Sequence, residues 1–196
     1  MVKLIDPFRS ATPDDAEEVV RLVDMAAHGL ASWMWSEMAQ PGETAMQVGI
    51  DRARREEGGF SYRNATVYEV DRRAAGLLLG GVIPREPEEI DYASLARPLH
   101  PLVELEAEAP GSWYVNALAV DPDYRGQGIG TALLDLAVRY ATDLDAAGLS
   151  LIAAEQNERA VQLYRRVGYE EAARRPIIPY PGDAHEGDWL LMTRSL

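Results

Sequence analysis

The 196-residue sequence predicts an α/β fold: one domain over residues 1–196, with a mixed sheet flanked by helices. Three observations carry this reading. The second half alternates short apolar runs with helical patterns, the signature of parallel strands joined by helices. Two strand-like runs in the first half meet at Asp71-Arg72-Arg73 and read as an antiparallel hairpin, which makes the sheet mixed. The composition, 47% hydrophobic and 26% charged, is that of a globular chain and argues against disorder or a fibre.

Thr12-Pro13-Asp14-Asp15 reads as the N-terminal cap of a helix over residues 14–31, with Val19, Val20, Leu22, Val23, Met25 and Ala26 near helical spacing. A second helix is expected over 43–57, stopping at Gly58-Gly59. Between them lies Trp33-Met34-Trp35-Ser36-Glu37-Met38, an aromatic and sulfur-rich stretch. Residues 65–70 and 74–83 are the strands of the hairpin. Residues 84–110, rich in Pro and Glu, read as mostly irregular with a short helix over 99–108. A buried strand follows at 112–120. Residues 128–144 make the most regular helix, whose stripe is Ile129, Leu133, Leu134, Leu136, Ala137, Tyr140, Ala141 and Leu144. A strand at 149–154, a helix at 158–167 and strands at 169–174 and 189–193 complete the order β-α-α-β-β-loop-β-α-β-α-β-β.

Charge and cysteine content narrow the function. The chain carries 19 Lys and Arg against 32 Asp and Glu, a formal charge of -13. Such a chain repels phosphate backbones and anionic headgroups, so neither nucleic acid nor a membrane is expected as a partner. With no cysteine there is no disulfide scaffold, thiolate metal site or cysteine nucleophile. His28, His100 and His185 have no metal-ligand spacing, so no metal is expected. Met1-Val2-Lys3-Leu4-Ile5-Asp6-Pro7 lacks the apolar core of a signal peptide, and no apolar run reaches membrane-span length; the expected location is cytoplasmic.

The chemistry-bearing segment is Val120-Asp121-Pro122-Asp123-Tyr124-Arg125-Gly126-Gln127-Gly128-Ile129-Gly130-Thr131. It leaves a buried strand, turns at Asp-Pro-Asp and enters the long helix through three alternating glycines. The first helical turn exposes unpaired N–H groups at the positive end of the dipole. Glycines there let a phosphate approach those groups closely. A Walker loop is excluded because the chain has no Gly-Lys pair. The dinucleotide fingerprint fails as well, since its sixth position is Thr131 counting from Gly126 and Leu133 counting from Gly128. A ligand-free glycine turn is the bland alternative.

Arg125-Gly126-Gln127-Gly128-Ile129-Gly130 resembles the Arg/Gln-x-x-Gly-x-Gly/Ala signature of the GNAT superfamily of acyl-CoA-dependent N-acetyltransferases, and Leu118-Ala119-Val120-Asp121-Pro122 resembles the strand that feeds it. A second block, from Asn157-Glu158-Arg159-Ala160 through Leu163-Tyr164 to Gly168-Tyr169, is similar to that family's Asn-x-x-Ala-x-x-Leu-Tyr-x-x-x-Gly-Phe/Tyr pattern. The close match runs from Trp113 to Tyr169. The resemblance implies a GNAT-like acyl-CoA N-acyltransferase fold: a central mixed sheet, flanked by helices, with a splay between the strands near 113–120 and 149–154.

The resemblance also implies roles. Backbone amides of Arg125, Gly126, Gln127, Gly128, Ile129, Gly130 and Thr131 would bind the pyrophosphate of acetyl-CoA, the implied co-substrate. Leu118, Ala119 and Val120 would line its pantetheine arm, with the Leu118 N–H beside the acetyl oxygen. Tyr164 would protonate the departing thiolate, its bland reading being a core aromatic. Asn157 would contact the arm, or serve only as a helix cap. Asn116 stands where many members carry a glutamate base and is grouped with the acceptor-binding residues; Glu104, Glu106 and Glu155 are the candidate bases, directly or through a water chain, and their bland reading is solvated carboxylates, since some members use ordered water alone and need no base. Trp33 and Trp35, with Met34, Met38, Tyr92 and His100 nearby, suit a cationic acceptor with apolar bulk, or pack the helices together. The implied reaction is acetyl transfer to a primary amine, on a small-molecule acceptor, by direct attack in a ternary complex. Dimers are common in this family, so a homodimer is a further expectation. A non-catalytic acyl-CoA sensor or interaction module is the alternative, kept open by Asn116.

Overall fold

The computed structural model describes residues 2–86, 90–182 and 186–196. Its seven-stranded sheet has the order β1-β2-β3-β4-β5-β7-β6. The chain divides into two compact units, Val2–Gly81 with Asn116–Leu133 and Val82–Val115 with Leu134–Leu196.

In the first unit, β1 (Phe8–Ser10), β2 (Ala65–Val70) and β3 (Arg73–Val82) pair antiparallel. Asp71 (φ 49°) and Arg72 (φ 63°) are both left-handed, as a two-residue turn needs when its twist matches that of the strands. Helices α1 (Ala16–Ala26), α2 (Leu30–Met38) and α3 (Ala45–Ala53) belong to this unit. The helix expected over 14–31 is therefore two helices. His28 (φ 52°) and Gly29 (φ 89°) break it, and the Asp24 carboxylate accepts the Ser32 N–H at 2.7 Å in the new first turn. The stretch 33–38 is accordingly helical. Val20, Leu22, Trp35, Val67, Leu77, Leu79, Ala117 and Ala119 belong to the core of this unit. Gly49 lets α3 approach α2, because a Cβ there would sit 2.9 Å from Trp35 Cε3.

In the second unit the strand β4 (Trp113–Val120) begins next to β5 (Leu149–Ala154), the two running parallel. Their ladder is short: it pairs Trp113, Tyr114 and Val115 with Leu149, Ser150 and Leu151, while both strands run on. By contrast β5 pairs with β7 (Asp188–Arg194) along its whole length, and β7 pairs with β6 (Glu170–Pro176). Both of these ladders are antiparallel, which makes the sheet mixed. Helix α4 (His100–Ala107) packs on β5, β6 and β7 through Leu105, whose neighbours in the cluster include Leu191, Ile152 and Trp189. Ser112 and Ser150 share a buried hydroxyl hydrogen bond of 2.6 Å at the start of the β4–β5 ladder. Helices α5 (Ile129–Asp143) and α6 (Glu158–Arg166) fall near their expected places. Leu144, expected on the α5 stripe, lies beyond the helix and is 53% exposed.

The start of α5 lies against β3 in the first unit, where Ile129 and Leu133 are buried. A Cβ on Gly76 would meet Ile129 Cγ2 at 2.9 Å, Leu133 Cδ1 at 3.1 Å and the Ala119 carbonyl oxygen at 3.3 Å. Gly76→Val should therefore overpack this contact and cost about 1–3 kcal/mol. Thermal unfolding would read that as a fall in midpoint of roughly 2–4 °C per kcal/mol for a chain of this length. An unchanged midpoint would mean that β3 and α5 are not this close.

Candidate functional site

The glycine loop is built from its supports upward. As β4 ends, the Asp121 N–H donates to the Ala75 carbonyl at 3.0 Å, tying the turn to β3. The Asp121 carboxylate then accepts the Asp123 N–H at 3.1 Å and the Arg21 guanidinium of α1 at 2.8 Å. Arg125 folds back on the loop, donating from Nε to the Val120 carbonyl at 3.2 Å and from Nη2 to Met25 Sδ at 3.6 Å. Its side chain is spent on bracing, which leaves the backbone of the loop to meet a ligand.

Gly126 (φ 79°) and Gly128 (φ 83°) hold left-handed conformations that side chains resist. A Cβ on either glycine would meet nothing within 4 Å among the described residues, so the space before them is open. The first bond of the α5 ladder runs from the Ala132 N–H to the Gly128 carbonyl at 3.0 Å. The amides of Ile129, Gly130 and Thr131 thus stand ahead of the ladder, at the positive end of the helix. An open, glycine-lined turn with forward amides fits a pyrophosphate.

Along β4 the burial alternates. Ala117 and Ala119 enter the core, Leu118 and Val120 are half-buried on the other face, and Asn116 is exposed. Trp35, expected in an acceptor wall, is a core residue instead: it is 1% exposed, packed against Gly49, with its ring 5.4 Å from that of Phe60. Trp33 is half-buried on the same helix. In the second unit the Tyr92 ring meets His100 edge-on at 5.0 Å, and His100 Nε2 lies 3.0 Å from the Leu95 carbonyl. His185 lies outside the described residues. Among those described, no three His, Asp or Glu side chains are grouped to hold a metal ion, and no helix is long and apolar enough to cross a membrane.

The second unit carries the remaining residues. Tyr164 sits on α6, 9% exposed, and burial pushes its phenol up to about 12. Its ring lies 6.0 Å from that of Tyr169. Asn157 caps α6, its side-chain oxygen accepting the Ala160 N–H at 3.3 Å. The three carboxylates separate by partner. Glu104 accepts Arg175 Nε at 3.0 Å, and Glu108 holds the same guanidinium. Glu155 is exposed and accepts Arg174 at 3.4 Å, in a network with Glu171 and Asp188. Glu106 is half-buried, and that burial pushes its carboxyl above the usual range. The Tyr114 phenol of β4 is pushed well up, first by burial and then by the charge of Glu106. Tyr114 belongs to neither sequence motif. The signal that could have singled it out is its place two residues before Asn116, on the same face of β4.

Residues 29–169 match the model of the acetyltransferase (GNAT) family. The peptidyl-lysine N-acetyltransferase YjaB of Salmonella typhimurium is 31% identical over 147 residues, covering 69% of this chain and 95% of that protein. An uncharacterized N-acetyltransferase of Methanocaldococcus jannaschii is 40% identical over 57 residues, 29% of this chain but only 25% of that protein. A solved N-acetyltransferase from Staphylococcus aureus Mu50 has the same fold, with a TM-score of 0.63 at 21% identity over 95% of this chain and 98% of that one. With a family model that spans most of its length and a relative 31% identical over 69% of it, the chain belongs to the acetyltransferase (GNAT) family.

Proposed function

We propose that the chain transfers an acetyl group from acetyl-CoA to a primary amine by direct attack in a ternary complex. The observation that carries this reading is the turn at Gly126 and Gly128, left-handed, open in front and leading into the forward amides of α5. Bound acetyl-CoA supplies an activated thioester. The loop amides hold its pyrophosphate by local dipoles, which a net charge of -13 does not supply. The Leu118 N–H stabilises the negative charge that grows on the acetyl oxygen under attack. Tyr164, kept protonated by burial, gives its proton to the departing sulfur. A chain without cysteine has no cysteinyl acyl-enzyme to pass through, which supports direct attack.

The acceptor is a small-molecule amine in the first reading. A lysine side chain is the second, favoured by the Salmonella relative, which is named for peptidyl-lysine and matched over nearly its whole length. Both present the same alkylammonium, which must lose a proton before it can attack.

Two outcomes test the reading. Calorimetric titration should give saturable binding of acetyl-CoA, with NAD and ATP as controls, and Gly128→Val should weaken it at least tenfold with the circular dichroism spectrum retained. Binding that survives Gly128→Val would remove the pyrophosphate from this loop. Tyr164→Phe should lower kcat about 10²-fold, the scale of a lost general acid, while leaving the Kd for acetyl-CoA unchanged. Equal turnover would take Tyr164 out of the reaction, and binding without turnover of amines or lysine peptides would favour the sensor.

A further inference from the structure

Arg52 stands in the last turn of α3, half-buried, in a chain with 32 acidic residues, yet among the described residues it has no ion pair. Its Nε is enclosed by the protein and has no hydrogen-bond partner. Among the described residues Nη1 and Nη2 make no hydrogen bond either, and neither is enclosed, so the end of the guanidinium reaches the surface. The dipole at a helix C-terminus favours a cation, but it gives no reason to enclose part of one without an acid. Desolvation holds this guanidinium below its ordinary pKa, and the charge of Arg55 adds to the effect.

The acids nearby in sequence serve other groups. Asp51 accepts the Gln47 side-chain amide at 2.9 Å, Glu43 the Gln40 N–H at 2.9 Å, and Glu56 the Tyr62 hydroxyl at 2.6 Å. Gly49, one turn before Arg52, lies against Trp35, so the Arg52 stem is on the α3 face that packs on α2. Packing therefore holds the head in place, and its charge is left uncompensated. Two accessible Nη atoms in a planar fork match the two oxygens of one carboxylate. A polyanion would need more cations than this against a net charge of -13. Ala53, next to Arg52, belongs to the core cluster that also holds Ala117 and Ala119 of β4, the residues on either side of Leu118. Helix α3 thus shares a core with the strand whose Leu118 N–H meets the acetyl oxygen in the reading above.

We propose that Arg52 binds a carboxylate of the acceptor, which is therefore an amine that also carries a carboxyl group; this rests on the acetyl-transfer function above. The carboxylate belongs to a free amino acid or to a peptide in which it lies near the reacting amine. Such an acceptor brings one negative charge, which Arg52 meets end-on through its Nη pair. Its ammonium is drawn by the acidic excess of the chain. A simple alkylamine would leave Arg52 as uncompensated in the complex as it is in the free chain.

The test is calorimetric titration of the full chain, saturated with CoA, with matched probes. β-Alanine, γ-aminobutyrate and ε-aminocaproate are each compared with their carboxamides, and a short peptide ending in lysine with its amidated form. At least one carboxylate should bind about tenfold more tightly than its amide, the scale of one charged hydrogen-bonded contact. Whether that probe is an amino acid or the peptide identifies the source of the carboxylate. Arg52→Met should abolish the difference by weakening the carboxylate alone, and Arg52→Lys should keep part of it, since lysine offers a point charge without the fork. The Kd for acetyl-CoA should stay unchanged in both. The thermal midpoint of Arg52→Met should equal or exceed that of the wild type, because methionine keeps the apolar stem and removes an uncompensated charge. Carboxylates and amides that bind alike, no binding of any probe, or a difference that survives Arg52→Met would overturn the proposal and leave acetyl transfer standing. A wild type that binds no acetyl-CoA would overturn the acetyl-transfer reading, and the proposal with it.

Discussion

The loop depends on the close approach of α5 to β3. Gly76 opens the space on β3 into which Ile129 and Leu133 settle, and a single added carbon would meet both. Burial of those side chains fixes where the helix begins, and therefore where its unpaired amides point. Asp121, held by the Ala75 backbone on one side and by Arg21 on the other, fixes the turn that leads there. The two left-handed glycines are then free of any packing duty, since nothing among the described residues crowds them. A backbone posture that costs conformational entropy is kept in front of open space. That combination is what the proposed pyrophosphate site rests on.

Burial and pairing divide the labour among like groups. The chain has an acidic excess, and Glu104, Glu108, Glu155 and Glu171 are ordinary partners of arginine. Glu106 differs by where α4 lays it, half-buried, so that its carboxyl is pushed above the usual range. Tyr164 differs from a surface tyrosine in the same way, its proton held more tightly because its anion would be desolvated. Net charge would have disfavoured an anionic co-substrate, and the backbone dipoles of one helix start offer the local exception.

Much of this was legible in the residues, and the limits have physical causes. The strand expected over 149–154 is observed as Leu149–Ala154, because a short apolar run between turn residues leaves little choice. The glycine loop was legible because its spacing serves no packing purpose. The break at His28 was not, since a histidine in a left-handed conformation has no strong local signal, and α2 was hidden behind it. Trp35 read equally as acceptor wall or helix packing, and only Gly49, nearby in space and distant in sequence, decides for packing. The candidate bases were the least legible. Glu104, Glu106 and Glu155 look alike in the sequence, and they are told apart by Arg175 and Arg174, about 20 to 70 residues further along the chain.

The central claim, that the turn into α5 receives the pyrophosphate of acetyl-CoA, is tested most directly by the amide resonances of the glycines themselves. Nuclear magnetic resonance of the 15N-labelled chain during titration with CoA should shift the amides of Gly126, Gly128, Ile129 and Gly130 together, along one saturating curve. Those of Gly42 and Gly58, left-handed glycines in the same unit but away from the loop, should stay in place. Saturable binding that leaves the four loop amides unmoved would contradict the account.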